Sequence, residues 1–421
     1  MGRNVVGDDS CQLWVRSTCR VPAAVVAVVA IIVALAGCTG VSSSSSRPSA
    51  TAAPSSRSLT SALLPARSSR SVLAPTALAP VPSDGIPVGF GITNLSFVSS
   101  NVGWALGRVP CVVAKLRGSC SLIARTKDGG RTWSAIPTPL RDCSNFGSPC
   151  LVGLAFATPD VGYVIGAATM PQTSYIYVTH DGGASWSRQH SSTEAIAISG
   201  HTVVRVVPST PAGGCAFICP PVIQRVSIGS TDWATVRLPD APPGRATLTA
   251  SSDRLALVVS GRSSLGLFVS DDAGLTWVHR NNPCPHLGFN DSPSQYSVGL
   301  GSTLLAVCAS VDGTQRVLVS ADSGATFRAA SSLRLDAKTV GPAALTAFFA
   351  DVLVLSDTNG AVHRSTDTGR TWALLDVSTA SDYSSLPDTV DSRVGFMLAR
   401  DGTTLLRTTD AGARWQAIAV H

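Results

Sequence analysis

Glutamate is almost absent from this chain: Glu194 is the single one among 421 residues. Any chemistry that needs a glutamate must use that residue, and its neighbours Ser191, Ser192 and Thr193 are those of a solvated loop position. Charged side chains make up only 14% of the sequence, and few stretches show a helical period, so long helices are excluded. No C-x-x-C pair occurs, and Cys284-Pro285-His286 is the only close Cys/His pair. That argues against a thiol metal centre, and no cofactor is expected. The net charge of +6 is a poor sign of nucleic-acid binding. The first 38 residues carry +1 and the stretch 39–83 carries +4, which leaves about +1 for all that follows. A nucleic-acid partner is therefore excluded.

What the chain has instead is one short pattern, Ser/Thr-x-Asp-x-Gly-x-Thr/Ser-Trp, used repeatedly. The clearest copy is Ser365-Thr366-Asp367-Thr368-Gly369-Arg370-Thr371-Trp372. Others place Asp128 with Trp133, Asp181 with Trp186, Asp272 with Trp277, Asp322 with Phe327 and Asp410 with Trp415. Successive aspartates lie 53, 91, 50, 45 and 43 residues apart, and a worn seventh copy, Ser227 to Trp233, falls inside the double interval. Each copy reads as a tight turn. The hydroxyl and the carboxylate accept backbone N–H bonds, and the glycine supplies a positive φ. The aromatic residue enters the next strand and wedges between neighbouring sheets. A period of this length holds four short strands, the content of one β-propeller blade. A second signature, Gly-aromatic, marks the second strand at Gly103-Trp104, Gly162-Tyr163 and Gly395-Phe396. The expected fold is all-β: a seven-bladed β-propeller of four-stranded antiparallel blades over 86–421, its last blade drawn from one end of the chain.

These repeats resemble the Asp-box, or BNR, repeats of sialidases and related propellers, a family that includes the photosystem II assembly factors. In that family the box braces a turn and does no chemistry, which makes the box residues structural. Sialidase catalysis, by the same resemblance, uses an arginine triad, a tyrosine nucleophile with a glutamate partner, and an acidic aspartate. Arg108-Val109-Pro110 is similar to the Arg-Ile-Pro that supplies the first of those arginines. Tyr163, however, occupies the Gly-aromatic position and reads as structural; the other tyrosines are 175, 177, 296 and 383. No catalytic residue is assigned.

The N-terminus has its own character. Arg3, Arg16 and Arg20 precede an uncharged apolar run, Val21 to Gly37, that ends in Leu35-Ala36-Gly37-Cys38. This resembles a bacterial lipoprotein signal peptide, 1–38, in which Cys38 is lipidated and becomes the first mature residue. An uncleaved signal anchor is the alternative. Either places the rest outside the cytoplasm, and the lipid would hold the chain at the outer face of the cell membrane. Residues 39–85, rich in Ser, Ala and Pro, read as a disordered linker.

Setting aside Cys11, Cys19 and Cys38, eight cysteines remain: Cys111, Cys120, Cys143, Cys150, Cys215, Cys219, Cys284 and Cys308. An even number outside the cytoplasm favours disulfides, and pairing of neighbours is the simplest connectivity. Antiparallel strands put every box at one end of the ring and the long loops 108–120, 137–150, 208–221, 281–295 and 376–390 at the other. The eight cysteines fall at that second end. So do Arg108, Lys115, Arg117, Arg141, Phe217, His286, Asp291, Asp382 and Tyr383, a mixed polar and aromatic set suited to recognition. The alternative is that long loops are merely tolerated there and the disulfides limit proteolysis. Two functions stay open: a monomeric, surface-tethered, non-catalytic binding or scaffold module for an envelope protein or glycan, and a sialidase-like or other glycoside hydrolase acting on extracellular glycans.

Overall fold

The computed structural model describes residues 85–420 except 114–115, 142, 144–149, 168–173, 190–191, 209–218, 252–253, 262–264, 285–294, 299–302, 310–314, 331–343, 349–350, 357–360, 376–387 and 400–401. Cys38 and the linker expected before the propeller lie outside the described residues.

Among the described residues, twenty-eight strands form seven four-stranded sheets, each an antiparallel meander of consecutive strands. The blades span residues 91–136, 150–189, 195–236, 245–280, 295–329, 344–375 and 388–419. No helix occurs among the described residues. The worn repeat still builds a complete blade, the third. The fourth, outermost strands are only two to four residues long, which leaves little unpaired edge for another chain to join.

The hydrophobic core lies between blades. Seven clusters of buried side chains each draw on two adjacent blades, and one of them joins blade 1 (Phe97, Leu122, Trp133) to blade 7 (Phe396, Leu405, Ile418). Both faces of a blade are thus covered. This is why the second strands read as continuous apolar runs, such as Leu255-Ala256-Leu257-Val258-Val259, all buried.

No strand is exchanged to close the ring; the last junction repeats the contacts of the first. Phe156 of blade 2 stacks on Trp104 of blade 1 with centroids 3.6 Å apart, and Phe97 of blade 1 stacks on Phe396 of blade 7 at 3.6 Å. The N–H of Phe156 donates to Ser96 Oγ (2.9 Å), and the N–H of Phe97 donates to Asp388 Oδ2 (2.7 Å). Ser96 lies opposite Trp104 and Asp388 opposite Phe396, so the two acceptors hold equivalent register positions. The Ile92 N–H donates to Gly402 O (2.9 Å) and ties the first strand of blade 1 to blade 7. The Gly-aromatic signature has a steric reason: a Cβ at Gly103 would lie 2.4 Å from the Phe97 ring, and at Gly162 the same distance from Phe156.

Candidate functional site

The repeated Asp-containing turns, the boxes of the sequence pattern, are self-contained. In blade 6, Ser365 Oγ donates to Asp367 Oδ1 (2.8 Å) and accepts the Gly369 N–H (2.8 Å). Asp367 accepts the Thr371 amide on Oδ1 (2.9 Å) and the Thr371 hydroxyl on Oδ2 (2.7 Å). The same set recurs around Asp128, Asp181, Asp272 and Asp322. At Asp410 an arginine, Arg414, follows in place of the hydroxyl residue and donates only its amide (2.9 Å). Donors from Ser185 and Thr179 hold the Asp181 carboxyl down at about 2, and donors from Thr326 and Thr371 do the same for Asp322 and Asp367. These carboxylates are spent on their own turns.

Two features of the box were not legible in its pattern. First, the residue before the glycine is also left-handed: Ala273, Ser323, Thr368 and Ala411 have φ of 53°, 56°, 60° and 56°. The glycine is therefore not the only positive-φ position, and four boxes carry a side chain where one is unfavourable. Second, the preceding blade clamps the turn. Arg280 Nε donates to Ser323 O (3.0 Å), Arg364 Nε to Ala411 O (2.9 Å), and Arg328 to Thr368 O. Trp104 Nε1 donates to Gly182 O (3.1 Å), and Tyr163 accepts the Gly229 N–H of the worn box (3.2 Å). A sequence signal did exist, since Arg364 directly precedes a box Ser, as Arg125 and Arg407 precede box threonines. All boxes with described contacts to the turn between first and second strands, such as Gly129 N–H to Asn101 O and Gly182 N–H to Asp160 O, sit with it at one end.

The opposite end carries the cysteines. Cys111–Cys120 and Cys284–Cys308 are disulfides, and Cys219 is disulfide-bonded, while Cys215 lies outside the described residues. Cys143 and Cys150 depart from neighbour pairing: they are thiols in hydrogen-bonding contact. The local reason is that Cys143 Sγ is engaged by the Arg108 guanidinium and by Ser121 Oγ (3.1 Å). The expected loop 108–120 is also a strand pair. The second and third strands of blade 1, Gly103–Val113 and Leu116–Thr126, stay in register up to Val113 opposite Leu116 and project as a hairpin beyond the first strand. Cross-strand pairing tied by Cys111–Cys120 replaces loop.

Of the proposed recognition residues, the structure describes the side chains of Arg108 and Arg141, both half-buried. Arg108 faces inward: Nη1 donates to Ser121 Oγ (3.0 Å) and Nη2 to Leu151 O (3.1 Å), bridging blades 1 and 2. The Arg141 carbonyl accepts the Ser121 N–H (2.8 Å). Lys115, Phe217, His286, Asp291, Asp382 and Tyr383 lie outside the described residues, as does the side chain of Arg117.

Glu194 stands at the start of the first strand of blade 3 and is exposed, yet surrounding protein still raises its carboxyl above the ordinary range. Its Oε1 accepts the Ala246 N–H of blade 4 (3.3 Å), and Arg245 lies close enough to oppose that rise. Glu194 thus links two blades, a role that its serine-rich flank did not reveal. Of the tyrosines, Tyr163 is buried at a blade junction, and Tyr175 packs under Arg188 with the guanidinium 3.7 Å from the ring centroid.

The molecule is a seven-bladed β-propeller with structural Asp-type turns at one end. No protein-family model and no curated protein matches the chain. Among solved structures it is similar to YCF48 bound to D1 peptide, with a TM-score of 0.52 and 20% identity over 79% of this chain and 96% of that one. It is also similar to an ancestral GH74 enzyme (TM-score 0.51, 10% identity, 83% of this chain) and to a prolyl endopeptidase (0.53, 13%, 79%). It spans 48% of each of those enzymes. At such identities the likeness establishes the fold, not an activity.

Proposed function

We propose that this protein is a non-catalytic, extracytoplasmic binding platform, tethered through lipid on Cys38, whose cysteine-bearing end takes up a segment of a partner protein. The observation that carries the reading is the commitment of the single glutamate and of the box aspartates. Glu194 accepts a backbone N–H from the next blade, and the box aspartates accept those of their own turns. A retaining or inverting glycosidase instead needs two carboxyl groups poised across an open cleft. The likeness to a peptide-bound propeller over nearly its whole length supports a protein ligand.

The test is a binding screen of the purified protein against peptides and envelope extracts, run beside hydrolysis of a fluorogenic sialoside and of xyloglucan. Binding without turnover is expected, reduced by Arg117→Ala, His286→Ala and Tyr383→Ala and not by changes beside the boxes. Sialoside turnover that disappears in Glu194→Gln would establish the hydrolase instead. For the tether, Cys38→Ala should abolish lipid labelling and release the protein. A variant equally membrane-bound and unprocessed identifies a signal anchor.

A further inference from the structure

Blade 3 departs from its six neighbours inside the sheet as well as at its worn turn. Three residues along each second strand from the position opposite the box hydroxyl, five other blades carry Leu, Ile or Val, and blade 6 carries Ser356. All six put Leu, Ile or Val across from that position, as in Leu106 opposite Ile123. Blade 3 has Arg205 opposite Gln224 there. Arg205 is 4% exposed and lies on the face of Val203, which packs with Ile176 and Val178 of blade 2. Its Nε and Nη2 donate to Gln224 Oε1 (3.0 and 2.7 Å), its guanidinium lies 3.9 Å from the Trp233 ring centroid, and Nη1 has no partner. No carboxylate among the described residues pairs with Arg205, and burial lowers its pKa to about 10. A buried cation without a counter-charge is costly, and an apolar pair fills the same place elsewhere in the ring.

We propose that Arg205 is the anchor of a carboxylate-binding site at the junction of blades 2 and 3, covered by Trp233 as a lid. Gln224 takes the side edge of the guanidinium, Nε with Nη2, and its own Nε2 donates to Thr235 Oγ1 (3.3 Å), which aims the oxygen at Arg205. The end edge, Nη1 with the second Nη2 proton, is left for the two oxygens of one carboxylate. A single negative charge balances the site, whereas a phosphate dianion would leave an excess charge in an apolar junction. Nη1 is shielded from solvent, so the ligand enters when Trp233 moves. The worn turn permits that movement: Gly229 stands where the other boxes have aspartate, so no carboxylate braces the approach to Trp233. A bond from Trp233 Nε1 to Gln189 Oε1 of blade 2 (3.0 Å) holds the lid shut. The site lies in the body of the blade, and it stands whether or not the loops of the cysteine-bearing end bind a partner.

The experiment adds sodium acetate, or an N-acetylated Gly-Glu-Gly amide beside its Gln counterpart, to the full chain, with ionic strength matched by sodium chloride. Thermal unfolding and tryptophan fluorescence are read together. A bound carboxylate should raise Tm by about 2 °C at ten times its Kd and change the fluorescence, while chloride and the Gln peptide do neither. A response to acetate marks a site open to small acids, and a response to the Glu peptide alone marks an acidic side chain of a protein partner; either upholds the site. Trp233→Phe should keep the rise in Tm and lose the fluorescence change. Arg205→Leu combined with Gln224→Leu copies the other blades, and should fold and lose both responses. Arg205→Lys keeps the charge without the fork; it should weaken binding about tenfold and serves if the double variant does not fold. No response beyond chloride, an undiminished response in the double variant or in Arg205→Lys, or a fluorescence change that survives Trp233→Phe would overturn the proposal.

Discussion

Asp388 is the place where ring closure can be measured. Its carboxylate accepts the Phe97 N–H at the junction of blades 7 and 1, where the first junction uses the neutral Ser96. Burial raises its carboxyl from 3.8 to about 6, against the lowering effect of the Phe97 amide. A group with a raised folded pKa binds its proton more tightly in the folded state. The unfolded chain holds fewer protons than the folded one between pH 4 and 6, so stability falls as pH rises through that window. The span corresponds to ~3 kcal/mol at neutral pH, as an upper figure. Asp388→Asn keeps an oxygen acceptor for the Phe97 amide and removes the charge. It should stabilise the protein by about 1–3 kcal/mol at pH 7.5 and have little effect near pH 4. Urea unfolding followed by tryptophan fluorescence at several pH values measures both. Glu194 also has a raised carboxyl but is present in both proteins, so it cancels in the difference. Parallel pH profiles for wild type and variant, or destabilisation by Asn at pH 7.5, would refute the reasoning. Asp388→Ser, which copies the first junction, should behave like Asn with a shorter reach.

Further outcomes follow from the boxes and junctions. Thr368→Gly removes a β-branched side chain from a φ of 60° and should stabilise by about 0.5–1 kcal/mol in urea unfolding, because strain relief exceeds the added chain entropy. Ser365→Ala leaves the buried Gly369 N–H without its acceptor and should cost about 1–3 kcal/mol in the same measurement. Trp104→Phe retains the ring against Phe156 but loses the bond to Gly182 O, and should cost ~1–2 kcal/mol. The depressed carboxyls of Asp181, Asp322 and Asp367 contribute stability that is full above their unfolded value and lost as pH falls from about 4 to about 2. An acid-unfolding limb in that range, moved upward by Asp367→Asn, is the check.

The blade count was legible because the box is a local device: its hydroxyl, carboxylate and glycine satisfy one another within eight residues, so the pattern survives in sequence. The partners of the clamp arginines were not legible, since they lie 40 to 47 residues away in the next blade, although Arg364 itself stands directly before a box serine. Glu194 is exposed and outside the strand, as its serine-rich flank suggests. Its acceptor role, set by Ala246 across a blade boundary, was not legible for the same reason. The projecting hairpin of blade 1 stands where a loop is expected, and its strands hold Pro110 and Gly118, residues that weaken a β pattern. Register and a disulfide outweighed those residues.

Closure without strand exchange follows from where the apolar surface lies. Each blade is too thin to hold a core, so every side chain that matters packs against a neighbouring blade. The seam is built as an internal junction is: blade 7 meets blade 1 through stacked aromatic rings and a side-chain acceptor for a backbone N–H, as blade 1 meets blade 2. Besides the second-strand ring, Trp104 in one and Phe396 in the other, what differs is the acceptor, a carboxylate in place of a hydroxyl. Among the described residues two titratable groups accept across junctions, Glu194 between blades 3 and 4 and Asp388 where the ends of the ring meet. Protonation strengthens that seam and ionisation loosens it. Opening between blades 7 and 1 should therefore grow easier as pH rises from about 4 to about 6 and, above that window, precede opening between blades 1 and 2. Hydrogen exchange at the Phe97 and Phe156 amides reads the two junctions separately. Faster exchange at Phe97 at pH 8, abolished in Asp388→Asn, is the expected pattern once both rates are corrected for intrinsic exchange. Equal protection of the two amides at pH 8 would show that the stacked rings, and not the acceptor, set the strength of the seam.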